Sequence, residues 1–168
     1  TFISNPFDKT CSDFFSENFK SDFTEERIGQ ITTLPEKVDS DGKQLLEIFE
    51  DPRPRNIRKA VKSGIEVFAS HSKNDLDFLI RTHQENMAAI GVAPKEKSFF
   101  YNIPECFNEN QYKIYVAKKN DENVAALLLF YFNKTVEYFT PATLEGYREL
   151  QPSSLIIFKA MTEAVLHG

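Results

Sequence analysis

Val124-Ala125-Ala126-Leu127-Leu128-Leu129-Phe130-Tyr131-Phe132 is apolar at every position. A run of this length, bounded by turn residues, reads as a strand covered on both faces and therefore central in its sheet. Before it, Tyr112 to Lys118 reads as a neighbouring strand, joined through a polar turn at Asn120-Asp121-Glu122-Asn123. After it, Asn133-Lys134 predicts a tight turn into a third strand, Val136 to Thr140. A loop closed by Pro152 and an amphipathic helix from Ser154 to Leu166 complete the unit. Everything upstream has to cover this unit.

Composition supports one buried core. The chain has 168 residues, 41% hydrophobic and 27% charged, which is ordinary for a globular protein. Its 25 acidic and 20 basic residues give a net charge of −5, which argues against coating nucleic acid by bulk charge but leaves room for a local basic patch. Cys11 and Cys106 have neither metal-ligand spacing nor partners for a disulfide framework, so a reducing compartment is expected. No apolar run reaches the ~18 residues of a membrane helix, and the first residues have no basic head followed by an apolar signal core. A cytoplasmic protein without an integral membrane segment is the expectation. The sequence begins at Thr1 without an initiator Met and stops at His167-Gly168, where another strand would follow, so an incomplete C-terminus is expected.

The upstream part divides at the prolines. Thr1 to Asp39 carries Phe2, Phe7, Phe14, Phe15, Phe19 and Phe23 with no clear period and reads as loop, with a short helix near Asp13 to Phe19. Gly42 to Phe49 predicts a short helix, and Pro52 with Pro54 an extended elbow. Beyond it, Arg55, Arg58, Lys59 and Lys62 share one helical face, Ile57, Ala60 and Val61 the other, and Gly64 stands at the C′ position. Ile65 to Ala69 reads as a strand. Asp75 to Ile90 is an amphipathic helix with Leu76, Leu79, Ile80, His83, Met87 and Ile90 on one face, capped by Asn74 or Asp75 and ended by Gly91. Ser98 to Ile103 is a short aromatic helix broken by Pro104.

Chemistry-bearing motifs are few. His71, His83 and His167 are scattered without ligand-like neighbours, so no catalytic metal is expected, and His83 reads as a half-buried core residue. No nucleophile motif or glycine-rich phosphate loop is present. The basic stripe has three readings: a solvated face, a phosphate-binding face for a nucleotide-bearing substrate or tRNA, or a face that pairs with the acidic remainder of the chain. Tyr131 and Tyr138 read as packing residues, or as donors at the open end of a central strand.

In order and spacing, several segments resemble the Fem family. They are Arg55-Asn56-Ile57-Arg58-Lys59-Ala60-x-Lys62-x-Gly64-x-x-Val67, the helix of Asp75 to Ile90, Gly91-Val92-Ala93-Pro94, Phe99-Phe100 and Tyr115-Val116-Ala117. Val124-Ala125-Ala126-Leu127-Leu128-Leu129, Tyr138 and Pro152-Ser153-Ser154-Leu155-Ile156-Ile157-x-x-Ala160-Met161 complete the pattern, with a fainter echo in Ser4-Asn5-Pro6-Phe7-Asp8-x-x-Cys11. The Fem family comprises GNAT-related acyltransferases that build peptidoglycan cross-bridges, with relatives in envelope-polysaccharide clusters. The resemblance implies an α/β, GNAT-like mixed sheet flanked by helices. Residues 1–52 would be a remnant or part of a first such domain, and residues 53–168 an incomplete second one.

The implied reaction is N-acyl transfer: attack of an amine on an activated acyl carbonyl, with an amine-bearing envelope precursor as acceptor. No resident cofactor is implied. The donor would be aminoacyl-tRNA, with acetyl-CoA second. In GNAT folds the strand matching Val124 to Phe132 splays from the next one and leads into a glycine-rich pyrophosphate loop, whereas this chain turns back at Asn133-Lys134-Thr135. By the same resemblance the acceptor would meet Lys95, Phe99 and Tyr138. Lys95 stands where Arg is usual and offers a point charge instead of a fork, while Phe99 stands where Tyr is usual and cannot donate. Catalytic residues stay unassigned. A silent GNAT-like module that binds a ligand or partner is the alternative.

Overall fold

The computed structural model describes residues 10–25 and 29–167. Two compact units are present, residues 1–34 and 35–168. In the first, α1 (Thr10–Asn18) buries none of its residues. Its phenylalanines cover one another instead, Phe15 stacking on Phe19 at 5.3 Å and meeting Phe14 edge-on at 5.6 Å. The segment Ser4 to Asp8 lies outside the described residues.

The second unit contains α2 (Lys43–Ile48), α3 (Arg53–Lys62), β1 (Glu66–Ser70), α4 (Lys73–Ala89), α5 (Lys97–Tyr101) and α6 (Ile103–Cys106). Then follow β2 (Tyr112–Lys119), β3 (Glu122–Phe132), β4 (Thr135–Thr143), a 3-10 turn over Glu145–Leu150, and α7 (Pro152–His167). The strands form one sheet in the order β1-β2-β3-β4. The helix-flanked α/β sheet is as expected, but among the described residues every pairing is antiparallel where a mixed sheet was expected. Both β2–β3 and β3–β4 are tight hairpins, and the passage through α4, α5 and α6 returns β2 antiparallel to β1. Asn120 and Asp121 turn the first hairpin at φ 51° and 63°, Asn133 and Lys134 the second at 45° and 60°. Two successive left-handed residues match the twist of the flanking strands, and Asn and Asp tolerate that region best.

β3 is an inner strand, and Val124 to Leu129 are all buried. Alternation sends Ala126 and Leu128 to one face, where they pack with Ile114, Val116, Leu76, Leu79, Ile80 and Phe100 beneath α4. Ala125, Leu127 and Leu129 take the other face, together with Tyr115 of β2, against which α7 lies. Each fully buried Leu contributes about 1.5–3 kcal/mol of transfer free energy. Helix α3 rides on α7 through Pro54, Ile57 and Ala60.

Several local expectations change in detail. Pro52 and Pro54 do not hold an extended elbow; they open α3, where a missing N–H costs nothing. Pro104 and Pro152 open α6 and α7 in the same way. The cap of α4 is Ser72, not Asn74 or Asp75: its hydroxyl accepts from the Asp75 N–H at 3.2 Å. Val61 and Ile90, expected on buried faces, are 58% and 64% exposed: Val61 flanks the buried Ile57 and Ala60 of α3, and Ile90 is the C-cap of α4, past its last turn. Gly64 closes α3 as anticipated, with the Ile65 N–H reaching the Ala60 carbonyl at 3.2 Å in a Schellman arrangement.

Candidate functional site

The β3–β4 register shifts between Leu128 and Leu129. Leu128 pairs with Thr140 and Leu129 with Tyr138, so Phe139 is an extra residue, a bulge. The bulge aims Phe139 onto the α4 side of the sheet, where it packs against the core. Phe99, brought by α5, stacks on it at 5.7 Å and 24°, and Phe130 meets it at 5.0 Å. Phe107 extends the row by packing on Phe130 at 5.1 Å. The Lys95 ammonium lies 5.0 Å over the Phe139 ring, a cation–π contact. The result is a half-exposed aromatic ledge with one cation at its end.

The loop that carries Lys95 leans on His83. The Lys95 N–H points at His83 Nε2 at 3.4 Å, and the His83 ring meets Phe100 at 5.6 Å. Burial and the neighbouring Lys95 charge hold the imidazole below its ordinary pKa, so it is neutral at pH 7, while its Nδ1 has no partner. His83 is thus the core residue the sequence suggested.

Of the three expected acceptor contacts, Lys95 and Phe99 come together. Tyr138 does not join them. It pairs with Leu129 and so lies on the α7 face of the sheet, half exposed, its hydroxyl kept above the usual phenol range by partial burial. Arg55, Arg58, Lys59 and Lys62 are exposed along α3, also on the α7 side. Two features escaped sequence reasoning. On the α7 face the Tyr115 hydroxyl donates to Glu163 Oε2 at 2.6 Å, the Tyr131 hydroxyl lies 3.2 Å from that of Tyr115, and the Lys113 ammonium is 3.9 Å from the same Glu163 oxygen. Since Tyr115 has a single proton and gives it to Glu163, Tyr131 donates to Tyr115. Burial and the Glu163 contact push the Tyr115 hydroxyl far above the tyrosine range, so it stays protonated. The second feature is the bulge itself, for which an even apolar pattern gives no signal.

One expectation tied to the donor is corrected. β3 does not splay from β4: they pair from Ala125↔Thr143 to Phe132↔Thr135, interrupted only at the bulge. The passage from strand to helix follows β4, as the sequence suggested, over residues 144–151, where Gly146 is the single glycine. Beside it a cleft of about 390 Å³ is lined by Asn86, Ile90, Pro141, Arg148 and Ser153. Among the described residues no three His, Cys, Asp or Glu side chains converge as a metal site, and no helix is long and apolar enough to cross a membrane.

Residues 54–168 match the family described as acetyltransferase (GNAT) domain. The chain belongs to this GNAT family. Among relatives of the GNAT chain, the UDP-N-acetylmuramoylpentapeptide-lysine N(6)-alanyltransferase of Weissella viridescens is 18% identical over 106 residues, 63% of this chain and 32% of the relative. Aminoacyltransferase FemB of Staphylococcus epidermidis is 33% identical over 75 residues, 43% of this chain and 18% of the relative. The chain therefore spans a third or less of the length of these curated relatives. The crystal structure of FemX superposes with a TM-score of 0.70 at 15% identity over 80% of this chain and 50% of that one, a likeness of fold.

Proposed function

We propose that this GNAT chain is the acyl-transfer part of a Fem-type enzyme that joins an aminoacyl group to the amine of a cell-envelope precursor, with residues 53–168 as a GNAT-like domain and residues 1–52 as part of a first one. The observation that carries the reading is the ledge: a Lys95 ammonium and a Phe99 ring meet at the bulged Phe139, in a fold that superposes on FemX. The two named relatives transfer an alanyl or aminoacyl group. Lys95 supplies a point charge for an anionic part of the acceptor, and Phe99 with Phe139 gives an apolar face for a ring or alkyl chain. Tyr138 stays a donor for a substrate that reaches around the β4 edge.

In the reaction a neutral amine attacks an aminoacyl ester, a C–N bond forms, the ester C–O bond breaks, and the proton shed by the amine ends on the departing hydroxyl. Such chemistry asks the protein chiefly for positioning and for hydrogen-bond donors at the developing oxyanion. The test is mass spectrometry of UDP-N-acetylmuramoyl-pentapeptide incubated with the protein and alanyl-tRNA, with acetyl-CoA as a second donor. A gain of one alanyl group, lost in Lys95→Gln by at least tenfold, is the expected result. An acetyl gain would assign the donor to acetyl-CoA, and no gain with either donor would favour a binding module.

A further inference from the structure

We propose that His83 is the positioning residue of the ledge: its neutral ring holds Lys95 over Phe139, and a proton taken up on Nε2 releases the lysine. That an anionic acyl acceptor then loses its contact rests on the reading above; the hold on Lys95 does not. Residues 91–96 are all exposed and join α4 to α5 without helix or strand. Their start is tied to α4 by the Gly91 and Val92 N–H groups, which donate to the Ala88 and Met87 carbonyls at 3.1 and 3.0 Å. Beyond Val92, among the described residues, one hydrogen bond reaches back from this loop to α4, from the Lys95 N–H to His83 Nε2. The same ring meets Phe100 edge-on at 5.6 Å, and Phe100 meets Phe99 at 5.4 Å. His83 thus touches both segments that bring Lys95 and Phe99 to the bulge.

Stability does not account for this histidine. For Nε2 to accept, the ring proton must sit on Nδ1, which is buried without a partner. An unpaired buried donor is destabilising, and an apolar side chain of similar size would avoid the cost. What the imidazole adds is an acceptor aimed at the Lys95 backbone. At 3.4 Å the contact is long, so one proton is enough to undo it. Protonation turns Nε2 into a donor that faces the Lys95 N–H, and it sets a second positive charge beside the Lys95 ammonium. The charged side chains on the surrounding elements are Arg81 and Glu85 of α4, Lys95 and Glu96 of the loop, Lys97 of α5 and Glu137 of β4. Of these, Lys95 is the one that acts on the ring. Burial first, and the Lys95 charge second, place the folded pKa below the ordinary 6.5. The hold is therefore complete above 6.5 and is lost as pH falls through the folded value.

NMR of the ligand-free protein tests the hold without any substrate, so its outcome is separable from that of the acyl-transfer reading. The Lys95 ammonium lies 5.0 Å over the Phe139 ring, so the neighbouring ε-methylene protons should be shielded by it. That shielding should be present at about pH 8 and lost on acidification to about pH 4.5, with the same midpoint as the His83 ring signals. His83→Gln sets an amide oxygen that takes no proton in this range close to where Nε2 stands, and it should keep the shielding throughout. His83→Leu should lack it at every pH; if that variant does not fold, the titrations of wild type and His83→Gln decide the matter. Constant Lys95 signals while His83 titrates, a loss at a different midpoint, a loss in His83→Gln that follows the wild-type curve, or shielding kept in a folded His83→Leu would each overturn the proposal. Across the same transition the wild-type affinity for UDP-N-acetylmuramoyl-pentapeptide should fall about tenfold, as a competent fraction reduced to about one tenth requires, and stay level in His83→Gln. Absence of binding at every pH, with the Lys95 transition intact, would refute the acyl-acceptor reading and support the hold.

Discussion

Gly42 offers the sharpest test of how the segment ahead of α3 is held. It adopts φ +67°, and a Cβ built on it would lie 2.5 Å from Thr162 Oγ1 and 2.7 Å from the Phe158 ring. Both neighbours are buried in α7, and the Thr162 hydroxyl is tied to the Phe158 carbonyl at 2.9 Å, so neither can swing aside freely. Gly42→Ala therefore meets two costs. The left-handed backbone costs an L-residue about 1–2 kcal/mol, and overpacking adds about 1–3 kcal/mol. Gly64 isolates the first, since it sits at φ +74° with nothing within 4 Å of its Cβ position. Urea denaturation of the two variants should show Gly42→Ala less stable than Gly64→Ala by about 1–3 kcal/mol, or roughly 2–10 °C in melting temperature for a chain of this size. If Gly42→Ala is no worse than Gly64→Ala, α2 is not seated on α7 as described.

Two further outcomes follow from side chains that join separate elements. Asn86→Ala removes two hydrogen bonds to Thr143, the amide donating to its carbonyl at 2.9 Å and accepting from its N–H at 3.0 Å; it should cost about 1–3 kcal/mol and speed hydrogen exchange at the Thr143 amide, and unchanged exchange would contradict the contact. Asp75 is partly buried, which by itself raises a carboxyl pKa, but hydrogen bonds from Ser70, Ser72 and Asn123 and the charge of Lys118 together outweigh burial and hold it below 3.8. Its folded pKa is thus lower than its unfolded one, so the stability it contributes is complete above 3.8 and is lost as pH falls through the folded value. Asp75→Asn should therefore flatten the acid limb of a stability profile between about pH 5 and pH 2, and an unaltered limb would show that the carboxylate is not held this way.

What could be read in advance was whatever local chemistry decides alone. The apolar run from Val124 had to be covered on both faces, and Asn120-Asp121 and Asn133-Lys134 had to turn, so the hairpins around β3 were legible. The exposed cations of α3 and the Gly64 terminus were legible for the same reason, because they depend on helical spacing within ten residues. The bulge at Phe139 was not. Its position is set by how β4 fits β3 over the α4 core, and no residue of Val136 to Thr140 announces it. That single slip also separates Tyr138 from Lys95 and Phe99, which the sequence offered as one group. Likewise the contact of Tyr115 with Glu163 links residues 48 apart and depends on where α7 crosses the sheet.

The Asn86 amide has a consequence for how the sheet can grow. Leu144 gives its N–H to Val124 across the hairpin, so the two backbone groups of Thr143 point outward from β4. With both already taken by Asn86, the outer rim of the strand is closed at that end, much as a zipper is closed by its stop. Any strand that aligns along β4, whether from the same polypeptide or another, runs out of ladder before Thr143, and its register is therefore limited from one side by a single helix-borne asparagine.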